Sequence, residues 1–287
     1  MHRHYTGGAA MQQKLSIEEL NAIPETLLYP LKSRYVETKK KNGVIRDPLS
    51  VQILDSLDYD PARSNLYPIS QIGACLRTII FDEYVSRFLS AFPDGVVVNI
   101  GCGLDTRFPR VDNGRVRWFD LDLPEAIALR KKFFKETERH RFITCSALDP
   151  AWADAVPKGL PTLFIIEGLS FYFTEAENRA MLRIIQDNFS GAECLIEIMA
   201  AWYVNIVLKM ATKKKYNDAL DNKAGALIKW GLNSGRELEA WPGRIKFIEE
   251  SFVIRRKLSA FPWGLRLMFF LIPVLIKANK IVRLQVG

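Results

Sequence analysis

Two glycines lie where the backbone can approach a ligand closely. Gly101 and Gly103 follow residues 96–100, a largely β-branched run typical of a buried parallel strand. In a parallel sheet, ligands bind at the carboxyl ends of the strands, and a glycine turn there leaves room for them. A dinucleotide-binding turn carries a third glycine three residues further on, where this chain has Thr106. The spacing therefore disfavours a pyrophosphate site.

A carboxylate stands at the end of the next predicted strand, residues 115–121. Asp122 is placed to accept hydrogen bonds from both hydroxyls of a ribose, whereas we interpret Asp120 as a structural residue. Ribose recognition without a pyrophosphate site favours an adenosine-type cofactor that carries no phosphate. The structural alternatives are a tight strand-to-helix turn for the glycines and a helix cap before Pro124 for Asp122.

Residues 97–107 and 118–125 resemble two motifs of the leucine carboxyl methyltransferase family, in its tetracenomycin polyketide O-methyltransferase branch. They read VVNIGCGLDTR and WFDLDLPE. Supporting matches surround Arg77 and span residues 167–173, and the resemblance covers roughly residues 24–255. It implies a class I methyltransferase that uses S-adenosylmethionine, releases S-adenosylhomocysteine and needs no metal.

The resemblance assigns the methionine end of the cofactor to three residues. Arg77 would bind the carboxylate, Gly101 would lie against the methionine part, and Glu167 would lie near the amine. The chemistry agrees, because a guanidinium can hold a carboxylate through two parallel hydrogen bonds. Glu167 directly follows apolar strand residues, where a carboxylate is costly to bury without a cationic partner. A surface ion pair is the alternative for Arg77.

The nucleoside end of the cofactor is assigned in the same way. By resemblance, Asp122 holds the ribose, and Gly103 lies in the same cofactor-binding turn. Relatives often carry an aspartate near the adenine after the third strand, and this chain has Ser146 at that place. We therefore assign the adenine contacts to Ser146, through its hydroxyl or the backbone, and to the neighbouring Ala147.

Strands that alternate with helices must position these residues, which predicts an α/β, Rossmann-like fold. We expect a seven-stranded, mostly parallel sheet with an antiparallel edge strand, in which the last two strands pair. A flexible tail is predicted over residues 1–14, followed by one domain. That domain contains N-terminal helices (15–92), a cofactor-binding core (93–199), an inserted helical cap (200–243) and C-terminal strands with an apolar helix (244–287).

The chemistry of methyl transfer limits what the protein must supply. The sulfonium already activates the methyl group, so the enzyme mainly aligns the acceptor in line and excludes water. None of the three histidines is a convincing base, since His2 and His4 lie in the tail and His140 precedes the third strand. We infer that the acceptor is a carboxylate or an acidic phenol or enol, already ionised. Tyr172, just after the fourth strand, is the candidate for orienting it.

Four further residues are candidates for binding the acceptor. Lys32 and Arg34 could contact its negative charge, and Tyr35 and Tyr203 could line its pocket. Packing or solvation is the alternative role for each of them. Four tryptophans after residue 200 suit an apolar or aromatic metabolite, with core packing as the alternative explanation.

Charge and cysteine content restrict the remaining functions. The formal net charge is +8, and its short basic runs are interpreted as solvated surfaces, with acidic substrates, nucleic acid or an anionic membrane as alternatives. No nucleic-acid-binding module is recognised, so we expect a small-molecule acceptor and no nucleic acid partner. The four cysteines form no CxxC pair, which disfavours zinc and a disulfide framework and indicates a reduced, cytoplasmic setting.

One segment near the C-terminus is apolar enough to require a test for membrane insertion. Residues 261–278 include the apolar run 267–276, but Arg266 precedes that run, Pro273 interrupts it and Lys277 follows it. The run is about half as long as a membrane-spanning helix. We predict a buried helix and no transmembrane segment, with a hydrophobic wall or partner contact as the alternative.

Three other functions stay open from the sequence. Protein carboxyl methylation requires a groove for a peptide tail, which the sequence does not show. A nucleic-acid binder or nucleic-acid methyltransferase is supported only by the net charge. A nicotinamide oxidoreductase is disfavoured by Thr106 in the glycine turn. No oligomeric state is predicted.

Overall fold

The computed structural model of the chain describes residues 25–58, 67–211 and 228–287. The predicted tail and the start of the predicted N-terminal helices (residues 15–24) lie outside these residues, as does the middle of the predicted cap. The fold and the site are those of the described part of the chain.

A seven-stranded mixed sheet forms the centre of the molecule, as predicted. Its strand order is β3-β2-β1-β4-β5-β7-β6, and β1 to β5 are parallel to one another. The strands are β1 (Val96–Ile100), β2 (Arg117–Asp122), β3 (His140–Thr144), β4 (Thr162–Ile166), β5 (Ala192–Met199), β6 (Ile245–Phe252) and β7 (Asn279–Val286). This order places the carboxyl ends of β1, β2 and β4 side by side.

Helices flank the sheet and begin where the sequence provides a cap or a proline. The side chain of Asp47 caps one helix by accepting from the amide of Ser50, and Thr174 with Glu177 forms a capping box for another. The helices are α1 (Glu25–Lys39), α2 (Pro48–Asp55), α3 (Pro68–Ala91), α4 (Phe108–Val111), α5 (Pro124–Phe133), α6 (Glu175–Asn188), α7 (Ala201–Ala211) and α8 (Trp263–Leu271). Four of these start with proline in the first turn, where its missing amide costs nothing.

The last two strands pair with each other, as predicted. β7 is antiparallel to β5 on one side and to β6 on the other. The antiparallel strand therefore lies one position inside the sheet, and β6, which runs in the same direction as β5, forms the outer edge. A register shift between Phe247 and Glu249 interrupts the pairing of β6 with β7.

Side chains from flanking helices cover both faces of the sheet. The valines of β1 contact these helices on alternate faces. Val96 and Val98 pack into a cluster that includes residues of α6, whereas Val97 packs into a second cluster that includes residues of α3. All three valines are fully buried. Because burying one valine side chain contributes roughly 1.5–3 kcal/mol, this strand firmly anchors the glycine turn that follows it.

A third cluster holds α1 above the glycine turn. Leu28 and Leu31 of α1 pack with Ile53 of α2 and with Leu104, and all four are buried. Leu104 directly follows Gly103, so this cluster fixes α1 beside the carboxyl end of β1.

The described part of the predicted cap lies along the same edge of the sheet. α7 starts directly after β5. Beyond it, the amide of Lys229 donates to the carbonyl of Phe171 at 2.7 Å, and that of Leu232 donates to the carbonyl of Met199 at 3.0 Å. Residues 228–232 therefore run beside the ends of β4 and β5.

The prediction that the apolar segment 261–278 is a buried helix is wrong. α8 buries Phe269, which is 1% exposed, but Trp263 is 78% exposed and Phe270 is 80% exposed. The helix ends just before Pro273 and contacts the domain through one face only, so its opposite face faces solvent. No helix among the described residues is both long and apolar enough to cross a lipid bilayer.

Candidate active site

A cleft opens at the carboxyl ends of β1 and β4, beneath α1. It encloses about 500 Å³, including open solvent at its mouth. Its walls come from α1, α3, the glycine turn and the residues after β4. They are Leu27, Pro30, Arg34, Arg77, Asn99, Gly101, Cys102, Gly103, Leu104, Asp105, Glu167 and Gly168. The cleft therefore brings together Arg34, Arg77, Gly101, Gly103 and Glu167, which the sequence had singled out separately.

The glycine turn requires its glycines. Gly101 and Gly103 have φ angles of +71° and +46°, in the left-handed region that L-residues disfavour. A Cβ atom at Gly103 would lie 2.5 Å from Cδ2 of Leu27. The amide of Gly101 donates to the carbonyl of Leu121 at 2.8 Å, which ties the turn to β2. Between the glycines, the side chain of Cys102 is buried.

Asp122 is bonded directly to this turn. Its Oδ2 accepts from the amide of Gly103 at 2.7 Å, and its Oδ1 accepts from the amide of Leu123 at 2.8 Å. Burial raises the pKa of Asp122 above its ordinary value, although both amides favour the ionised form. The two bonds fix the orientation of the carboxylate, and each oxygen keeps a further lone pair for a ligand.

Ser146 and Ala147 follow β3 next to Asp122. Thr144 is paired with Asp122 in the sheet, and the amide of Cys145 donates to the carbonyl of Asp122 at 3.0 Å. Ser146 and Ala147 are both half-buried, and Oγ of Ser146 accepts from the amide of Leu148 at 3.2 Å. The structure thus places these two residues beside the carboxylate predicted to bind ribose.

Arg77 of α3 contacts two carboxylates at the back of the cleft. Its Nε donates to Oε1 of Glu167 at 2.8 Å, and its Nη1 donates to Oε2 of Glu197 at 3.0 Å. Glu197 is fully buried and also accepts from the amide of Gly168 and from Nδ2 of Asn279, both at 2.7 Å. Arg77 is therefore held from two sides, and the alternative of a surface ion pair does not apply.

These contacts belong to a larger network that alternates arginine with carboxylate. Arg107 is fully buried and joins Glu167 to Asp105 and Asp82. Through Arg110 and Asp47 the network reaches Arg34. Its members among the described residues are Arg34, Asp47, Arg77, Asp82, Asp105, Arg107, Arg110, Glu167 and Glu197. With every group ionised, four positive and five negative charges leave one negative charge in excess.

The arginines keep two carboxylates of this network, Asp105 and Glu167, ionised. Burial raises the pKa of Asp105, but the guanidinium groups of Arg107 and Arg110 outweigh burial and lower it to about 2. Burial also opposes ionisation of Glu167, and the charges of Arg107 and Arg77 again lower its pKa. Removing one partner from such a buried network leaves an uncompensated charge, which typically costs about 3–5 kcal/mol.

Sequence reasoning missed Glu197 and Arg107 as parts of this site. Arg107 lies within the motif of residues 97–107 but was given no role. Glu197 carried a usable signal, because it is a carboxylate near the carboxyl end of the apolar strand β5, where burial demands a cationic partner. Its partner Arg77 lies 120 residues earlier in the chain, so the pairing itself could not be read from the sequence.

The acceptor candidates on α1 lie in different environments. Arg34 lines the cleft, but it is buried, with Nε bonded to Oδ2 of Asp47 at 2.8 Å and Nη2 bonded to the carbonyl of Leu104 at 3.3 Å. Lys32 is 2% exposed. Tyr35 does not line the cleft, because its hydroxyl donates to Asp55 at 2.9 Å and its ring packs between α1 and α2.

Tyr172 lies in a short 3-10 turn, Ser170–Tyr172, directly after the end of β4. Burial raises the pKa of its phenol, and the charge of Arg77 partly offsets this. The hydroxyl therefore stays protonated at neutral pH. Tyr203 lies in the first turn of α7, with its amide bonded to the carbonyl of Ala200 at 2.9 Å.

His140 and Asp120 form a structural contact away from the cleft lining. Nε2 of His140 lies 2.5 Å from Oδ2 of Asp120, and both residues are buried. Asp120 also accepts from Nε1 of Trp118 and from Nε of Arg130, each at 2.9 Å. The structural role predicted for Asp120 agrees with these contacts.

Comparison with known proteins identifies the family. Residues 30–186, more than half of the chain, match the leucine carboxyl methyltransferase family. The tetracenomycin polyketide synthesis O-methyltransferase TcmP of Streptomyces glaucescens is 32% identical over 232 residues, covering 80% of this chain and 83% of that protein. The chain belongs to the leucine carboxyl methyltransferase family. It is therefore an S-adenosylmethionine-dependent methyltransferase, and the resemblance seen in the sequence is confirmed.

One further relative resembles this chain in sequence, and two solved structures share its fold. The S-adenosyl-L-methionine-dependent methyltransferase dpfgK of Gibberella zeae is 28% identical over 267 residues, which cover 85% of this chain and 87% of that protein. A DUF574 family protein from Streptomyces avermitilis shares the fold with a TM-score of 0.57 at 11% identity, over 90% of this chain and 97% of that one. A candidate methyltransferase from Thermobifida fusca shares it with a TM-score of 0.56 at 12% identity, over 96% and 97%.

The cleft offers groups that suit S-adenosylmethionine, the cofactor of the family. The guanidinium of Arg77, the carboxylates of Asp105 and Glu167 and the glycine turn all line one space. Among the described residues, histidine, cysteine and acidic side chains form no group of three that could hold a metal ion.

Proposed function

We propose that this enzyme transfers the methyl group of S-adenosylmethionine to an oxygen of a small apolar or aromatic metabolite. The acceptor oxygen is a carboxylate or an acidic phenol or enol. One observation carries the proposal: the 32% identity with a polyketide O-methyltransferase extends over 80% of this chain. The relative acts in polyketide synthesis by its name, which favours a similar class of small, ring-containing acceptor.

For the methionine end of the cofactor, we propose contacts from α3 and the end of β4. Arg77 already uses Nε and Nη1 for Glu167 and Glu197, so we assign Nη2 to the methionine carboxylate. Glu167 accepts from the methionine ammonium, and Gly101 lies against the methionine chain. The excess negative charge of the arginine–carboxylate network complements the net positive charge of the methyl donor.

For the nucleoside end, we propose contacts from the ends of β2 and β3. Asp122 accepts from the ribose hydroxyls with the lone pairs that Gly103 and Leu123 leave free. Gly103 lets the nucleoside approach the backbone. Ser146 and Ala147, held beside Asp122 by strand pairing, contact the adenine.

We propose that the enzyme holds the acceptor in line with the methyl group and supplies no general base. His140 is bonded to Asp120 outside the cleft lining, and the phenol of Tyr172, whose pKa is raised by burial, stays protonated at neutral pH, so neither serves as the base. An acceptor that is already ionised when it binds has no proton to lose, so it requires no base from the enzyme. Tyr172 instead donates a hydrogen bond that orients the acceptor oxygen.

The acceptor lies, in this proposal, between α1 and the start of α7. Tyr203 lines that space, and Arg34 contributes positive potential from the cleft wall without leaving Asp47. Lys32 keeps its predicted role towards the acceptor anion. We assign Tyr35 to the packing of α1 on α2, because its hydroxyl is bonded to Asp55.

The test is a methyl-transfer assay with isotope-labelled donor and a matched acceptor series. One naphthalene scaffold would carry a carboxylate, an acidic phenol, an alkyl alcohol or an amine at the same position. We expect label in the carboxylate or phenol product and none in the alcohol or amine. Labelled alcohol, with a rate that requires an enzyme group of near-neutral pKa, would contradict the proposal.

Protein carboxyl methylation is the second candidate, and the name of the family favours it. The same labelled donor distinguishes it, because a peptide ending in leucine would gain one methyl ester, seen by intact mass spectrometry. We expect no label in that peptide under conditions in which the small acceptor is methylated. Nucleic acid, included as a further acceptor, is expected to stay unlabelled.

We also propose that the protein works in a reducing compartment such as the cytoplasm. All four cysteines are free, and three of them are buried. Cell fractionation that places the enzyme in an oxidising compartment would contradict this proposal.

A further inference from the structure

The C-terminal part of the molecule presents an apolar surface to solvent. Seven of the thirteen exposed large hydrophobic side chains among the described residues lie within one stretch of 17 residues. They are Leu258, Trp263, Leu267, Phe270, Leu271, Ile272 and Val274. We call these residues the C-terminal apolar surface. Contiguous exposed surfaces of this kind mark interaction sites, because leaving them in water is unfavourable.

The spacing of these residues follows one face of a helix. Trp263, Leu267, Phe270 and Leu271 are separated by four, three and one positions, so they share one side of α8. Phe269 points to the opposite side and packs in the cluster that includes α3 residues. α8 is therefore anchored to the domain by one face and exposes a second apolar face.

Positive charges surround this surface. Residues 251–287 contain seven lysines and arginines and no acidic residue. Five of the seven are exposed, namely Arg255, Arg256, Lys257, Arg266 and Lys277. Arg256 is paired with Glu83 of α3, and the segment itself offers no carboxylate to the others. The surface is thus apolar at its centre and cationic at its margin.

The same segment lies at the edge of the sheet where the cleft opens. β6 runs in the same direction as β5, so residues 253–278 leave the carboxyl edge of the sheet and return to it at β7. Asn279, the first residue of β7, donates to Glu197, which contacts Arg77 in the cleft. The apolar surface and the cofactor cleft are therefore connected through one strand end.

We propose that the C-terminal apolar surface binds the surface of an anionic lipid bilayer. The aromatic and aliphatic side chains of α8 enter the boundary between head groups and acyl chains, and the flanking lysines and arginines contact lipid phosphates. This lies beyond methyl transfer and does not depend on the acceptor. Charge selects this occupant over a second copy of the chain, since two copies would bring like charges together across the contact.

The test is flotation of the full-length protein with vesicles of phosphatidylcholine, with or without phosphatidylglycerol. We expect flotation with the anionic vesicles and an increasing loss of flotation as salt is added, because salt screens exposed charges. Trp263→Ser combined with Phe270→Ser should lower partitioning by about tenfold or more, since both apolar side chains are lost. Arg255→Glu combined with Lys257→Glu should abolish the preference for anionic vesicles.

Matched controls separate this effect from misfolding and from general surface properties. Leu160→Ser removes another exposed leucine, and Arg141→Glu reverses another exposed arginine, both far along the chain from α8. Both control variants should float like the unmodified protein. Every variant should keep its circular dichroism spectrum and its thermal shift with S-adenosylhomocysteine.

Three results would overturn the proposal. The first is the absence of flotation with anionic vesicles at low salt. The second is flotation that does not distinguish the variants at residues 263 and 270 from the controls. The third is a stable dimer by light scattering that the Trp263→Ser and Phe270→Ser changes dissociate, because the surface would then be covered by a second copy.

Discussion

The backbone amide of Gly103 donates a 2.7 Å hydrogen bond to Oδ2 of Asp122. This bond joins the turn after β1 to the end of β2, so the glycines and the carboxylate form one rigid unit. A second bond, from Gly101 to the carbonyl of Leu121, reinforces the connection. Cofactor binding and stability should therefore both respond to changes in this unit and in the charged network beside it.

Replacing Asp122 with alanine should weaken binding of the methyl donor by roughly tenfold to a hundredfold, because hydrogen bonds to a charged group contribute about 1.5–3 kcal/mol. The thermal shift produced by S-adenosylhomocysteine should fall accordingly. Asp154→Ala is the control, since that carboxylate is 84% exposed and lies 3.4 Å from Lys158 on the surface. An undiminished shift in Asp122→Ala would remove this residue from the site.

Affinity for the methyl donor should decrease as the solution is acidified. The decrease should begin at a higher pH than it would for an ordinary aspartate, whose pKa is 3.8. Burial raises the pKa of Asp122, and ribose binding uses the ionised form, so protonation competes with binding as the pH decreases through that raised pKa. The loss should approach about tenfold per pH unit for a single group.

Calorimetric titration with the methyl donor, at pH values around the raised pKa of Asp122, would measure this loss of affinity. Glu167 and Asp105 have lowered pKa values, so they stay ionised there. Asp122→Asn should bind weakly but show no such pH dependence, and a slope unchanged in that variant would assign the effect to another group.

Gly103→Ala should impair both folding and cofactor binding. Its φ of +46° costs an L-residue about 1–2 kcal/mol, and the new Cβ would lie 2.5 Å from Cδ2 of Leu27. Gly114→Ala is the matched control, because Gly114 also has a positive φ but an added Cβ there would meet no atom within 4 Å. In denaturant titrations, both variants should lose a similar free energy of unfolding because alanine disfavours a positive φ. Gly103→Ala should show an extra loss, because only its new Cβ contacts a neighbouring side chain.

Adding Leu27→Ala to Gly103→Ala removes the close contact between the new Cβ and Leu27. The double variant should therefore recover the extra free energy of unfolding that Gly103→Ala loses. Donor binding measured in the same variants would show whether the turn has moved. If Gly103→Ala bound the donor as tightly as the unmodified protein, the close approach at this glycine would have no role in cofactor binding.

Glu197→Gln should destabilise the protein far more than Glu193→Gln, although both residues lie in β5. Glu197 is fully buried and accepts hydrogen bonds from Arg77, Gly168 and Asn279, so its neutral analogue breaks a buried ion pair, at a cost of about 3–5 kcal/mol. Glu193 is half-buried, and its partner Arg283 also bonds to Glu249, so its neutral analogue should lose less. Equal losses of the free energy of unfolding in urea would contradict the importance of the network.

The elements of the sheet were predictable because their sequence patterns are strong and local. β1 has the predicted bounds, 96–100, since a fully buried parallel strand reads as a continuous apolar run. The position of β7 inside the sheet was not predictable, since strand order depends on contacts between distant parts of the chain.

The residues of the candidate site that belong to a sequence motif were predictable. Those that are defined by pairing between distant charges were not. Gly101, Gly103 and Asp122 lie at or just after the carboxyl ends of two neighbouring parallel strands and therefore converge at one edge. Arg107 and Glu197 needed knowledge of which arginine meets which carboxylate. The exposure of Trp263 and Phe270 was missed for a related reason, because apolar composition alone does not show whether a second layer covers a helix.

The side chain of Cys102, buried between the two glycines, has a consequence for chemical inactivation. Burial raises the pKa of this thiol well above its ordinary value, and the thiolate is the form that alkylating and oxidising agents attack. The glycine turn is therefore resistant to such reagents. Cys145, the half-buried thiol next to Ser146, is the one that a covalent inhibitor or a fluorescent label would reach first.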